Sequence, residues 1–149
     1  MTKDVLVTVK GLQFGDNEAD SMEVVCNGTY YFRNGKHYIK YDEIMDDSMR
    51  SVSNILKISD IAGIPRVEVK KKGTVEATLL FEEGQNHISC YETDYGSFML
   101  GFHANRISVE HKEDEINVHI DYAMEMNYEH LSDNQIEMNI VSKVKGAEL

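Results

Sequence analysis

The stretch INVHIDYAMEMN, residues 116–127, holds a His-x-Asp pair, His119 and Asp121, of a type that can begin a metal site or an acid–base pair. Alternation decides where the pair points. Ile116, Val118, Ile120, Tyr122, Met124 and Met126 share one face of an extended chain, and His119 and Asp121 share the other. The two polar groups point together, but away from the apolar stripe, onto a solvated face. A zinc site would need further ligands and a supporting outer shell, and no spacing here supplies them. His37, His87, His103, His111, His119 and His130 show no i,i+4 pair and no H-E-x-x-H string. Nucleophile elbow, phosphate loop and dinucleotide glycine fingerprint are all missing. The residues point to no metal, no cofactor and no catalytic nucleophile.

The polar residues that alternation turns inward are the better lead. Tyr30, Tyr41, Glu43 and Tyr122 fall among apolar neighbours, and His37 lies near a turn, at a barrel mouth. Tyr91 joins them if the face of Phe98 is buried. A buried carboxylate needs a partner. Tyrosine hydroxyls can serve, and Arg106 is a candidate counter-charge. Tyr41, Glu43, Tyr91, Tyr122, His37 and Tyr30 are thus candidate ligand-binding residues, with Glu43 orienting a ligand among aromatics. The competing reading is a tyrosine-rich core whose hydroxyls reach the barrel ends.

Strands must position these groups. Val5, Val7 and Val9, then Cys26, Tyr30 and Phe32, then Ala77, Leu79 and Phe81, then Ile136, Met138 and Ile140 recur with period two. Turn signals such as RNGK, AGIP, EEGQN, DYGS and HKEDE separate the runs. The pattern predicts an all-β chain, a single antiparallel meander barrel of about eight to ten strands. One domain spans residues 1–149, with frayed ends at 1–3 and 145–149.

One hairpin can be built in detail. Asn34-Gly35 accepts positive φ at both turn positions, so Arg33 opposes Lys36, Phe32 opposes His37, Tyr30 opposes Ile39 and Gly28 opposes Tyr41. Cys26, Tyr30, Phe32, His37, Ile39, Tyr41 and Glu43 then face inward together. A second hairpin is expected at Tyr95-Gly96, and a β-bulge near Asn105-Arg106 reconciles the Phe98 and Ile107 faces. The segment 46–53 reads as loop leading into strand, with a short helix as the alternative. Lys70-Lys71-Lys72 reads as an exposed, edge-protecting strand end, although Lys71 leaves the face of the other two.

A net charge of -11 argues against nucleic acid and against anionic membrane surfaces. No apolar run is long enough to span a bilayer or direct secretion, so the cytoplasm is the expected compartment. Cys26 and Cys90 form no C-x-x-C motif and read as reduced thiols packed as small hydrophobes.

The segments HYIKYDE, NILKISD, VEVKKKG, LLFEEGQ, YETDYGSFML, NRISVE and INVHIDYAME occur in an order that resembles the YwiB-like, or DUF1934, bacterial proteins. Tyr95 stands where phenylalanine is expected, and Lys72 where arginine is. The resemblance implies a calycin-like, or lipocalin-like, β-barrel in a small cytoplasmic protein, and it carries over no catalytic residue. A barrel of about eight strands is either filled by its own side chains or holds one small ligand. The first expectation is therefore a small apolar or aromatic ligand with one polar handle. The alternative is a filled barrel acting through its surface or as a homodimer, using Tyr31, Tyr38, Ile44 and the Lys70–Lys72 edge.

Overall fold

The computed structural model describes residues 1–11, 23–44 and 51–143. Alternation governs it from the first strand. Val5, Val7 and Val9 are sealed while Leu6 between them is 40% exposed. The strands follow in order as β1 (Asp4–Lys10), β2 (Glu23–Arg33), β3 (Lys36–Ile44), β4 (Ser51–Ile61), β5 (Ile64–Gly73), β6 (Ala77–Glu82), β7 (Asn86–Thr93), β8 (Gly96–Lys112), β9 (Glu115–Met126) and β10 (Glu129–Ser142).

Each strand pairs antiparallel with its chain neighbour, with one addition and one omission. β1 also pairs with β10, Val7 opposing Ile140 and Val9 opposing Met138. β6 and β7 form no ladder and lie at the two ends of the sheet order. The barrel closes through its outermost strands and is interrupted in mid-chain. This is the all-β, nearly closed barrel that the periodicity predicts.

The up-and-down path gives the barrel two distinct ends. β1, β3, β5, β7 and β9 end at one, here the Tyr41 end; β2, β4, β6 and β8 end at the other, the hairpin end. At the hairpin end Asn34 and Gly35 adopt φ of 53° and 76°, and the register is the expected one, Arg33 opposing Lys36 and Gly28 opposing Tyr41. Gly28 is required for close approach. A Cβ there would stand 2.7 Å from Val7 Cγ2 and 3.0 Å from the Lys40 carbonyl oxygen.

Ala62 and Gly63 make the same kind of turn, with φ of 54° and 83°. Alanine in this region is strained by about 1–2 kcal/mol, and asparagine tolerates it better. Ala62→Asn is therefore expected to raise the melting temperature by about 2–4 °C. Calorimetry showing no rise would mean that this turn stores no strain.

Several expectations are corrected. The second hairpin turns one residue earlier, at Asp94-Tyr95, and Thr93 opposes Gly96. This slips the register by two residues, so Tyr91 still shares the Phe98 face. The bulge is present, between Ala104 and Arg106. Phe32, placed inward by parity, is 57% exposed because it stands beyond the core near the turn. Cys90 is exposed rather than packed, and Cys26 is half-buried; both are free. Residues 51–53 are strand. Residues 46–50, where the loop-or-helix question lay, and the tail at 145–149 fall outside the described residues, as does the side chain of Ile44.

Candidate functional site

Register stacks the interior into layers. Reading across β2, β3, β4, β5 and β6, one row is Gly28, Tyr41, Asn54, Lys71 and Ala77. Toward the Tyr41 end lies the row of Glu43, Val52 and Gly73. Toward the hairpin end comes Tyr30, Ile39, Leu56, Val69 and Leu79, then Phe32, His37, Ile58, Val67 and Phe81. Ile39, Leu56, Val69 and Leu79 have no exposure at all. An apolar layer therefore separates a polar layer at the Tyr41 end from the aromatic and imidazole groups at the other.

The polar layer is built on a closed triangle. Lys71 Nζ donates to Glu43 Oε1 at 2.8 Å and to Asn54 Oδ1 at 2.9 Å, while Asn54 Nδ2 donates to Glu43 Oε1 at 2.9 Å. Asn54 Nδ2 also reaches the Val52 carbonyl at 3.2 Å. Glu43, Asn54 and Lys71 are 7%, 1% and 6% exposed. Desolvating such a pair is expensive, and the extra amide bonds offset part of that cost.

Lys71, not Arg106, is the counter-charge of Glu43. Arg106 is exposed because the bulge before it turns it outward. Lys71 in turn is not part of an exposed edge, although Lys70 and Lys72 are exposed. Its departure from their face was the available signal. Asn54 carried a similar one, lying at the parity of Val52 and Leu56 among buried positions.

Phenols and a thiol surround the triangle. Tyr41 is 4% exposed, and its hydroxyl is the one buried side-chain polar atom without a hydrogen-bond partner among the described residues. Burial first, then the charge of Glu43, then Cys26 hold the Tyr41 phenol far above its ordinary range. Burial, then Glu43, push Tyr91 up to about 12. Burial, then Tyr91, raise Tyr122, whose hydroxyl donates to the Gly11 carbonyl at 3.4 Å. Burial, then Glu43 and Asp42, push the Cys26 thiol up to about 11. All four groups keep their protons at neutral pH, so they act as donors and not as bases or nucleophiles. Glu43 is the charge common to Tyr41, Tyr91 and Cys26.

The six candidate residues thus divide. Tyr41, Glu43, Tyr91 and Tyr122 gather at one end. Tyr30 and His37 belong to the other, where Tyr30 Oη and His37 Nδ1 are 2.7 Å apart and the His37 ring lies 4.6 Å from that of His111. Burial, then His111, then the chain's amino terminus lower the His37 pKa, which keeps the ring neutral. Between the two ends Phe81, Phe102 and Tyr122 meet with ring centroids 5.4–5.8 Å apart, filling the middle of the barrel.

His119 and Asp121 lie on the outer face as expected, their nearest atoms 2.9 Å apart and each about a third exposed. Glu137 adds a 3.6 Å contact, and no group of three or more metal-ligating side chains occurs among the described residues. Tyr31 and Tyr38 stack outside at 5.0 Å. Among the described residues no helix is long and apolar enough to cross a membrane.

The fold is shared with a solved structure. The ywiB protein from Bacillus subtilis has a solved structure that matches with a TM-score of 0.76 and 22% identity, over 95% of this chain and 93% of that one. At that identity the likeness is one of fold. No curated protein matches. The family model described as a domain of unknown function, DUF1934, matches residues 7–138. That span runs from β1 into β10, and the chain belongs to the DUF1934 family.

Proposed function

We propose that the barrel binds one small, largely apolar or aromatic molecule at its Tyr41 end and holds it by a hydrogen-bond-accepting handle. The observation that carries this reading is the Tyr41 hydroxyl, sealed from solvent and lacking an acceptor beside a charged triangle. An unsatisfied buried hydroxyl costs about 1–3 kcal/mol, and local rules of this kind are broken chiefly at functional sites. Lys71 has a third N–H beyond the two that bond Glu43 and Asn54, so a second donor stands near the first. Apolar neighbours, among them Phe98 and Met126, suit the rest of such a ligand. His37 drops out of the site because an apolar layer intervenes, and Tyr30, within that layer, turns its hydroxyl to His37. No catalytic step is assigned.

The direct experiment is a native mass measurement on protein purified from its own source, which reports bound ligand and subunit number together. A thermal-shift screen of small metabolites follows. Tyr41→Phe separates the binding role from a packing role. It removes an unpaired polar atom, so the free protein should keep its stability or gain about 1 kcal/mol. The same change should weaken a ligand found in the screen about tenfold, the worth of one hydrogen bond of about 1.4 kcal/mol. A variant that loses stability but binds unchanged would sink the assignment of Tyr41.

A further inference from the structure

We infer that the interruption between β6 and β7 is the doorway through which the ligand reaches Lys71 and the Tyr41 end of the barrel. This rests on the ligand-binding reading above. The two strands run side by side, yet among the described residues a single bridge joins them as sheet. Glu76 and Glu92 exchange two backbone bonds of 2.9 Å at the Tyr41 end. At the other end the β6–β7 turn is tied to β8 instead, Gly84 N–H reaching the Ala104 carbonyl at 2.8 Å. Continued inward, the Glu76–Glu92 register would pair Thr78 with Cys90 and Leu80 with Ile88. Those pairs are not made.

What lies there instead is a cleft of about 590 Å³, lined by Thr78, Leu80, Ile88 and Cys90 and by Lys71 itself. Lys71, whose ammonium bonds Glu43 and Asn54 inside the barrel, thus also lines the cleft along the interrupted seam. The volume is in the range of small-molecule sites. Toward the hairpin end Ile39, Leu56, Val69 and Leu79 are fully sealed.

A docked peptide strand fits the cleft less well. An inserted strand needs its two neighbours about 9.6 Å apart, twice the usual spacing. The Glu76–Glu92 pair holds them at a single spacing at one end, and the Gly84–Ala104 bond anchors the connecting turn at the other. A slit fixed at both ends can bow apart for a small molecule, whereas a strand would have to break an anchor.

The native Cys90 allows a direct test. Thr78→Cys places a second thiol opposite it, and a disulfide between them would draw the strands to ladder distance, about 5.5 Å between Cα atoms. Cys26 will not compete readily, because it is half-buried and its thiol stays protonated. Association of 8-anilinonaphthalene-1-sulfonate, followed by stopped-flow fluorescence, should slow at least tenfold in the oxidised variant and recover on reduction. As a second lock, a bulky maleimide on Cys90 of the unaltered protein should slow it likewise. Unlocked protein that binds neither this probe nor any hit from the metabolite screen overturns the ligand reading and the doorway with it. Binding at equal rates with both locks in place overturns the doorway alone and puts entry at the barrel mouth.

Discussion

Lys71→Met should lower the stability of the protein by about 3–5 kcal/mol. Methionine keeps the length and most of the volume of the lysine, so little packing is lost. What changes is the charge. Glu43 Oε1 loses the ammonium at 2.8 Å and keeps the neutral Asn54 amide at 2.9 Å. A carboxylate that is 7% exposed cannot recover the difference from water. The loss is set by the buried carboxylate that loses its ammonium rather than by the worth of the pair, and a second replacement separates the two. Glu43→Gln in the same chain removes the negative charge and leaves a neutral group that can still bond Asn54. The double variant should regain most of the stability, giving a coupling of about 2–3 kcal/mol in a double-mutant cycle by urea denaturation. A single-variant loss below about 1 kcal/mol would place the pair among solvated surface bridges and remove the polar layer as a site.

That triangle also marks how far the sequence could be read. Period two revealed which residues share a face, and the Asn34-Gly35 turn set the β2–β3 register correctly. Parity carries no information about height along the barrel. Tyr30, His37, Tyr41 and Glu43 share one face, yet Tyr30 stands in the sealed row with Ile39, His37 lies one row beyond it, and Tyr41 and Glu43 lie on its other side. Finding Asn54 and Lys71 required the β3–β4 and β4–β5 registers, which set Tyr41 opposite Asn54 and Asn54 opposite Lys71. The sequence between β3 and β4 holds no short turn motif that would have fixed the first of these. A run of three lysines also resembles a solvated edge, and two of the three do face solvent. Arg106 failed as counter-charge for a related reason. The bulge was legible, but the residue it turns outward depends on its position to within one residue. The second hairpin was more forgiving, because a two-residue slip leaves every side chain on its original face.

Phe81→Ala should cost about 3–5 kcal/mol, and it tests whether the barrel is blocked at mid-height. Phe81 is 1% exposed and meets Phe102 and Tyr122 edge-on, at 5.4 Å in each case. Those two rings are fixed to neighbouring strands and to each other at 5.8 Å, so they cannot collapse far into the space that Phe81 leaves. The cavity would be lined by carbon and should stay dry. Its position makes the variant informative about function as well as stability. Phe81 belongs to the interior row nearest the hairpin end, while the Tyr122 it touches reaches the Gly11 carbonyl at the Tyr41 end. Tyr122 spans the sealed layer, so the space left by the ring should open toward a ligand held at Tyr41 along that side chain. Longer aromatic compounds that fail to shift the melting temperature of the parent should then shift that of the variant, each by mass action. A loss under about 1 kcal/mol would instead mean that the three rings are loosely packed. In that event the sealed layer, and not the aromatic trio, would be what confines a ligand to the polar end.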